Sequence, residues 1–114
     1  MTFEIVKLGT DKYTEVLADA NKSYICSPNF AVRTKATGEL LADIHFQDGP
    51  VKEKGINGVA NEDLIVMVMY RLNQFQKSDY ACKENADAVR HLQGALDSLR
   101  ARTNKRGVEG TSNK

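Results

Sequence analysis

Over 114 residues the chain carries 16 lysines and arginines against 15 aspartates and glutamates, a formal net charge of +1. Hydrophobic residues at 41% and charged residues at 27% belong to a folded globular chain rather than a disordered or fibrous one. A near-neutral balance also lacks the basic footprint with which proteins hold long nucleic acid.

The length fits one domain, residues 1–114, with a modest core that gains from oligomerisation. Cys26 and Cys82 have neither CxxC spacing nor the histidine neighbours of a zinc site, so they read as reduced thiols and no metal is expected. No apolar run approaches the ~20 residues that span a bilayer, and the start lacks the basic-then-apolar pattern of a signal peptide. No membrane partner is expected, and the chain is expected to stay in the cytoplasm where it is made.

Residues 1–48 read as a half-exposed antiparallel sheet of four or five short strands. "FEIVKL" and "YTEVLA" form a hairpin around Gly9 and Asp11. "YIC" and "FAVRT" bracket Ser27, Pro28 and Asn29, and "TGE" at Thr37 to Glu39 turns the chain into "LLADIHF". There Leu40, Ala42, Ile44 and Phe46 fall on one face and Leu41, Asp43 and His45 on the other.

A glycine-rich loop, 49–60, follows. At its end Asn61 is expected to cap a helix whose first turn holds Glu62 and Asp63. Ile65, Val68, Leu72 and Phe75 then make one stripe at 3-4-3 spacing, with Met67, Met69 and Tyr70 off it. After "QKSDYACKEN" a second helix starts near Cys82 to Glu84 and repeats Val89, Leu92, Leu96, Leu99 and Thr103 at 3-4-3-4. Two such stripes predict an antiparallel hairpin over 61–106, with 107–114 a tail. The fold class is α+β, and the apolar residues left off the seams call for cover by the sheet or a second copy.

Catalytic groups are absent from this pattern. Cys82 and His91 are the one thiol–imidazole pair to consider, and nine residues apart on a helix they lie about 13 Å from each other at ~1.5 Å per residue. Glu62, Asp63, Glu84 and Asp87 sit at helix starts, where capping explains them. The loop matches neither a Walker A sequence nor GxGxxG, although backbone N–H groups before a helix suit an anion and Asn57-Gly58 is equally a plain turn. Phe75 and Tyr80 flank the inter-helix connection with Asn85 just beyond. A ring and an amide can stack on and hydrogen-bond a purine, or Phe75 can simply end the core stripe. Arg100, Arg102, Lys105 and Arg106 crowd the last turns, with Arg102 and Arg106 at i,i+4, as a phosphate grip or as cations at a helix C-terminus.

Five stretches, "FQDGPVKEKGINGVANEDLI", "RLNQFQ", "ACKENADAV", "ALDSLRART" and "RGVEGT", occur in this order. Together they closely resemble the phage-encoded Thoeris anti-defence proteins, whose helical hairpin is shared with the shorter anti-CBASS sponges. The resemblance covers about residues 40–112. It implies a non-enzymatic sponge without a cofactor that binds cyclic ADP-ribose isomers, signals made by bacterial TIR-domain enzymes. Some members also bind cyclic di- or trinucleotides in separate pockets.

It also implies a small sheet and two long helices assembling as a dimer, and in many members a hexamer, in the cytoplasm of an infected bacterium. By the same resemblance Phe75 stacks on adenine and Asn85 hydrogen-bonds to the ligand, a partner chain completes the pocket, and the loop contributes through Gly49 and Asn57. Arg102, Thr103 and Arg106 match the lining of the cyclic-oligonucleotide pocket. Here only Asn104 and Lys105 separate the Arg102–Thr103 pair from "RGVEGT", a shorter spacer than related sequences carry. The alternative is a small phage accessory protein that binds RNA or DNA through its basic helix end.

Overall fold

The structure, a computed structural model, describes the backbone of residues 3–6, 12–19 and 26–108 and the side chains of 12–19 and 26–105. It is α+β, as the change of period from two to 3.6 predicts, and it divides into two compact units, Met1–Val59 and Ala60–Lys114.

In the first unit β1 (Phe3–Val6), β2 (Thr14–Asp19), β3 (Asn29–Thr34) and β4 (Leu40–His45) form an antiparallel sheet in the order β1-β2-β3-β4. The strand expected at "YIC" lies outside the described residues except for Cys26, which is in a bend, and the turn at Gly9 and Asp11 lies outside them too. Leu17 and Ala31, paired across β2 and β3, are buried. On the same face Glu15 and Arg33 stand directly opposite, and the guanidinium Nε donates to the carboxylate at 2.6 Å. Asp19 is only 5% exposed. A buried carboxylate needs partners, and Asn29 Nδ2 donates to it at 3.3 Å while Asn29 Oδ1 meets His45 Nδ1. The other face is apolar: Phe30 and Phe46 meet edge to face, with ring centroids 5.5 Å apart.

One strand departs from strict alternation. Ala42, Ile44 and Phe46 are half-buried as expected, but Leu40 is 58% exposed. The register shows why: Val32 pairs with Ala42 while the next residue, Arg33, pairs with Leu40, so Leu41 is an extra residue in β4. Such a bulge resets the two-residue phase, and Leu40 loses its place on the apolar face.

The second unit holds α2 (Asn61–Gln76) and α3 (Lys83–Val108), which pack against each other as a hairpin across the connection 77–82; the short α1 (Val51–Lys54) belongs to the first unit. The cap is not Asn61, which is already helical. Ala60 occupies the cap position, and its N–H donates to the Asp63 carboxylate at 2.8 Å. This is the reciprocal half of a capping box, supplied by the residue three positions on.

The α3 seam is covered at every predicted position, with Leu96 buried and Val89, Leu92, Leu99 and Thr103 half-buried. On α2 the seam is shifted. Ile65, Leu72 and Phe75 are half-buried, yet Val68 is 47% exposed and Met69 takes the covered place. A step of four from Ile65 is as good a neighbour as a step of three, and an unbranched thioether adapts readily to a packed seam. At the far end α3 continues through Val108, past the expected boundary at 106. "NKRGV" has no apolar period, but propagation along a formed helix needs none.

Candidate functional site

The glycine-rich loop is a self-satisfied structure. After Pro50 the chain makes the single turn α1, closed by Gly55 N–H donating to the Val51 carbonyl at 2.8 Å. Gln47 clasps it from inside: Nε2 donates to the carbonyls of Gly49 (3.0 Å) and Gly55 (2.8 Å), and Oε1 accepts from Asn57 N–H (3.1 Å). The Asn57 side chain is committed in both directions to Asp48, accepting from its N–H at 2.8 Å and donating to its carbonyl at 2.9 Å.

Two glycines are demanded by space or dihedral angle. Gly49 is buried with φ of +84°, and a Cβ there would meet Lys54 Cγ at 2.7 Å. At Gly58 a Cβ would fall 2.5 Å from the Phe46 carbonyl carbon, because residues 58–59 run hard against 45–47. Val59 N–H donates to the His45 carbonyl at 2.9 Å and Gln47 N–H to the Val59 carbonyl at 2.8 Å. The α2 N-terminus offers an anion little, since Asp63 takes the Ala60 N–H and Glu62 adds a second negative charge.

The connection end of the hairpin is different. Phe75 is one residue from the end of α2 and Asn85 is in the first turn of α3; both are half-buried. Asn85 makes no side-chain hydrogen bond among the described residues, so its amide has both donors and its acceptor to offer. Between them the chain is held tightly. Ser78 Oγ donates to the Phe75 carbonyl at 2.6 Å and accepts from Tyr80 N–H at 3.1 Å. The Gln76 side chain brackets Cys82, its Nε2 donating to the carbonyl at 3.0 Å and its Oε1 accepting from the N–H at 2.9 Å. Tyr80 stands exposed on this connection.

Charge beside this end is arranged by Asp87. Lys83 Nζ lies 2.7 Å from its carboxylate and Arg90 Nη2 3.3 Å, and these two bonds, Lys83 first, hold the carboxyl below the usual range. Arg71, one helical turn before Phe75, places its guanidinium carbon 5.2 Å from the centre of the Phe75 ring. Neither Arg71 nor the Gln47 and Gln76 clasps is prominent in the sequence. The i,i+4 spacing of "RLNQF" is the signal for Arg71, and it competes with core packing as the reading of Phe75.

Toward the other end of α3, Arg102 and Thr103 are half-buried on adjacent positions. Arg106 is helical, and its side chain lies outside the described residues. Cys82 and His91 are both exposed, and the two cysteines are free thiols. Among the described residues no cluster of His, Cys, Asp and Glu is placed to hold a metal ion, and no helix is long and apolar enough to cross a membrane.

Fold and site together define an α+β chain whose helical hairpin carries a ring and an uncommitted amide at its closed end. The hairpin domain of Acb2/Tad1 is the family whose model matches, over residues 39–103, which is more than half of the chain. The chain belongs to that family. It is also similar to Thoeris anti-defense 1 of Bacillus phage SBSphiJ7, with 54% identity over 86 residues. That alignment covers 73% of this chain and 61% of the relative, so the chain spans about three fifths of the length of the curated relative it matches.

Proposed function

We propose that the chain is a phage anti-defence protein that binds and sequesters cyclic ADP-ribose-type signalling nucleotides without degrading them, thereby blocking Thoeris immunity in the cytoplasm of the infected bacterium. The observation that carries the reading is the closed end of the hairpin, where Phe75 and Asn85 stand on an ordered connection within a segment matched by the Acb2/Tad1 hairpin domain. The likeness to Thoeris anti-defense 1 supplies the biological setting.

Binding of this ligand class needs a stacking surface, hydrogen bonds to a base edge and cations for phosphate, and no nucleophile. An ordered connection reduces the entropy lost on binding, which is how a small site reaches high affinity. A nanomolar constant corresponds to about −12 kcal/mol, more than one helix end supplies, and a second copy completing the pocket accounts for the remainder. The outward face of α2, with Met67 58% and Tyr70 68% exposed, supports self-association as a dimer or hexamer.

Gly49 and Asn57, which shape the glycine-rich loop, are further residues we assign to binding of the same ligand. Arg102, Thr103 and Arg106 are the residues we assign to a second site, for cyclic di- or trinucleotides. Calorimetric titration with a panel of cyclic ADP-ribose isomers tests the first site. Saturable binding by the wild type, lost in a folded Phe75→Ala variant, is expected. Binding that survives the substitution takes Phe75 out of the site, and binding to polymeric RNA or DNA instead, weakening steeply with salt, replaces this function with the accessory one.

A further inference from the structure

We propose that Arg71, which rests on the Phe75 ring, is the phosphate-positioning residue of the Phe75 site, handed to the ligand's pyrophosphate when a purine takes that ring face. The inference rests on the sequestration reading above and adds to it a residue and a competition.

Three observations carry it. The Arg71 guanidinium carbon is 5.2 Å from the Phe75 ring centre, within the range where a cation is held by the ring's electron-rich face, so it occupies the surface on which a base would stack. The side chain is exposed and no carboxylate lies within ion-pairing distance of it among the described residues. Its helical neighbours at three and four positions either way, Met67, Val68, Gln74 and Phe75, include no acid. By contrast Lys83 and Arg90, on the facing helix, are both engaged by Asp87.

A planar fork of donors without an anionic partner, resting weakly on an aromatic face, is the arrangement that a diphosphate can capture in a bidentate contact. The handover discriminates between ligands. A nucleotide with a pyrophosphate displaces the guanidinium from the ring and re-engages it, whereas adenosine displaces it and offers nothing in return.

The test compares wild type, Arg71→Gln and Arg71→Lys by calorimetric titration with cyclic ADP-ribose and its isomers and with adenosine, at low and high salt, with thermal unfolding to show each variant folded. The expected result for Arg71→Gln is about ten- to hundredfold weaker binding of the bound cyclic isomer, the order for losing a hydrogen bond to a charged group. Adenosine binding is expected to be unchanged or tighter, and the salt dependence to shrink. Arg71→Lys is expected to recover part of the loss.

Equal weakening of both ligands, or no change in either, overturns the role of Arg71 while leaving sequestration intact. Failure of the wild type to bind any cyclic isomer overturns the sequestration reading, and this inference with it.

Discussion

At Gly58 the constraint is steric and local. Alanine there brings a methyl group to 2.5 Å from the backbone of Phe46, and backbone cannot yield as a side-chain tip does. Gly58→Ala is expected to destabilise the first unit by about 1–3 kcal/mol, the usual cost of overpacking, and chemical denaturation measures it. An unchanged midpoint would mean that the strand and loop separate freely.

Asp87 makes a pH-dependent contribution of known sign. Its folded carboxyl is lowered by Lys83 and Arg90, so its stabilisation is present above the unfolded value of about 3.9 and lost as pH falls through the lower folded value. Asp87→Asn should therefore melt slightly below wild type at pH 7 and alongside it in strong acid. A gap of the same size at both pH values contradicts the ion-pair origin. At the basic end, Arg102→Ala is expected to spare a cyclic ADP-ribose isomer and lose any cyclic trinucleotide, and equal loss of both in titration would contradict a separate second site.

At the scale of elements, periodicity made the sheet and both helices legible, and the α3 seam from Val89 to Thr103 was readable residue by residue. What escaped was phase. The bulge at Leu41 leaves no mark in composition, because an extra leucine in "ELLAD" looks like any other strand residue until its partner is known. Val68 and Met69 are adjacent and both apolar, so only the packed α3 decides which one is covered. Ala60 acts as a cap although it has no side-chain oxygen, because Asp63 reaches back to it. For the site, the types of Phe75 and Asn85 were visible but the order of the connection was not, since the Gln76 clasp joins positions on either side of the turn. Gln76→Leu removes both of its bonds to Cys82 and is expected to speed amide hydrogen exchange over 77–82. Unchanged protection would mean that Ser78 alone orders the connection.

For the molecule as a whole, the shortage of deeply buried side chains is the informative feature. Leu17, Ala31, Leu96 and Pro28 are the buried apolar side chains among the described residues, while Met67 and Tyr70 stay open on α2. Tyr70→Glu is expected to shift the sedimenting species toward monomer and to weaken ligand binding together with it, if a second copy completes the pocket. Sequestration without chemistry is what separates a sponge from an enzyme that degrades the signal. Its test is to titrate the purified protein with cyclic ADP-ribose isomers, saturate it with one that binds, heat the mixture until the protein denatures, and chromatograph what is released. Recovery of intact ligand in stoichiometric amount is the predicted result, and release of linear ADP-ribose or smaller products would contradict it.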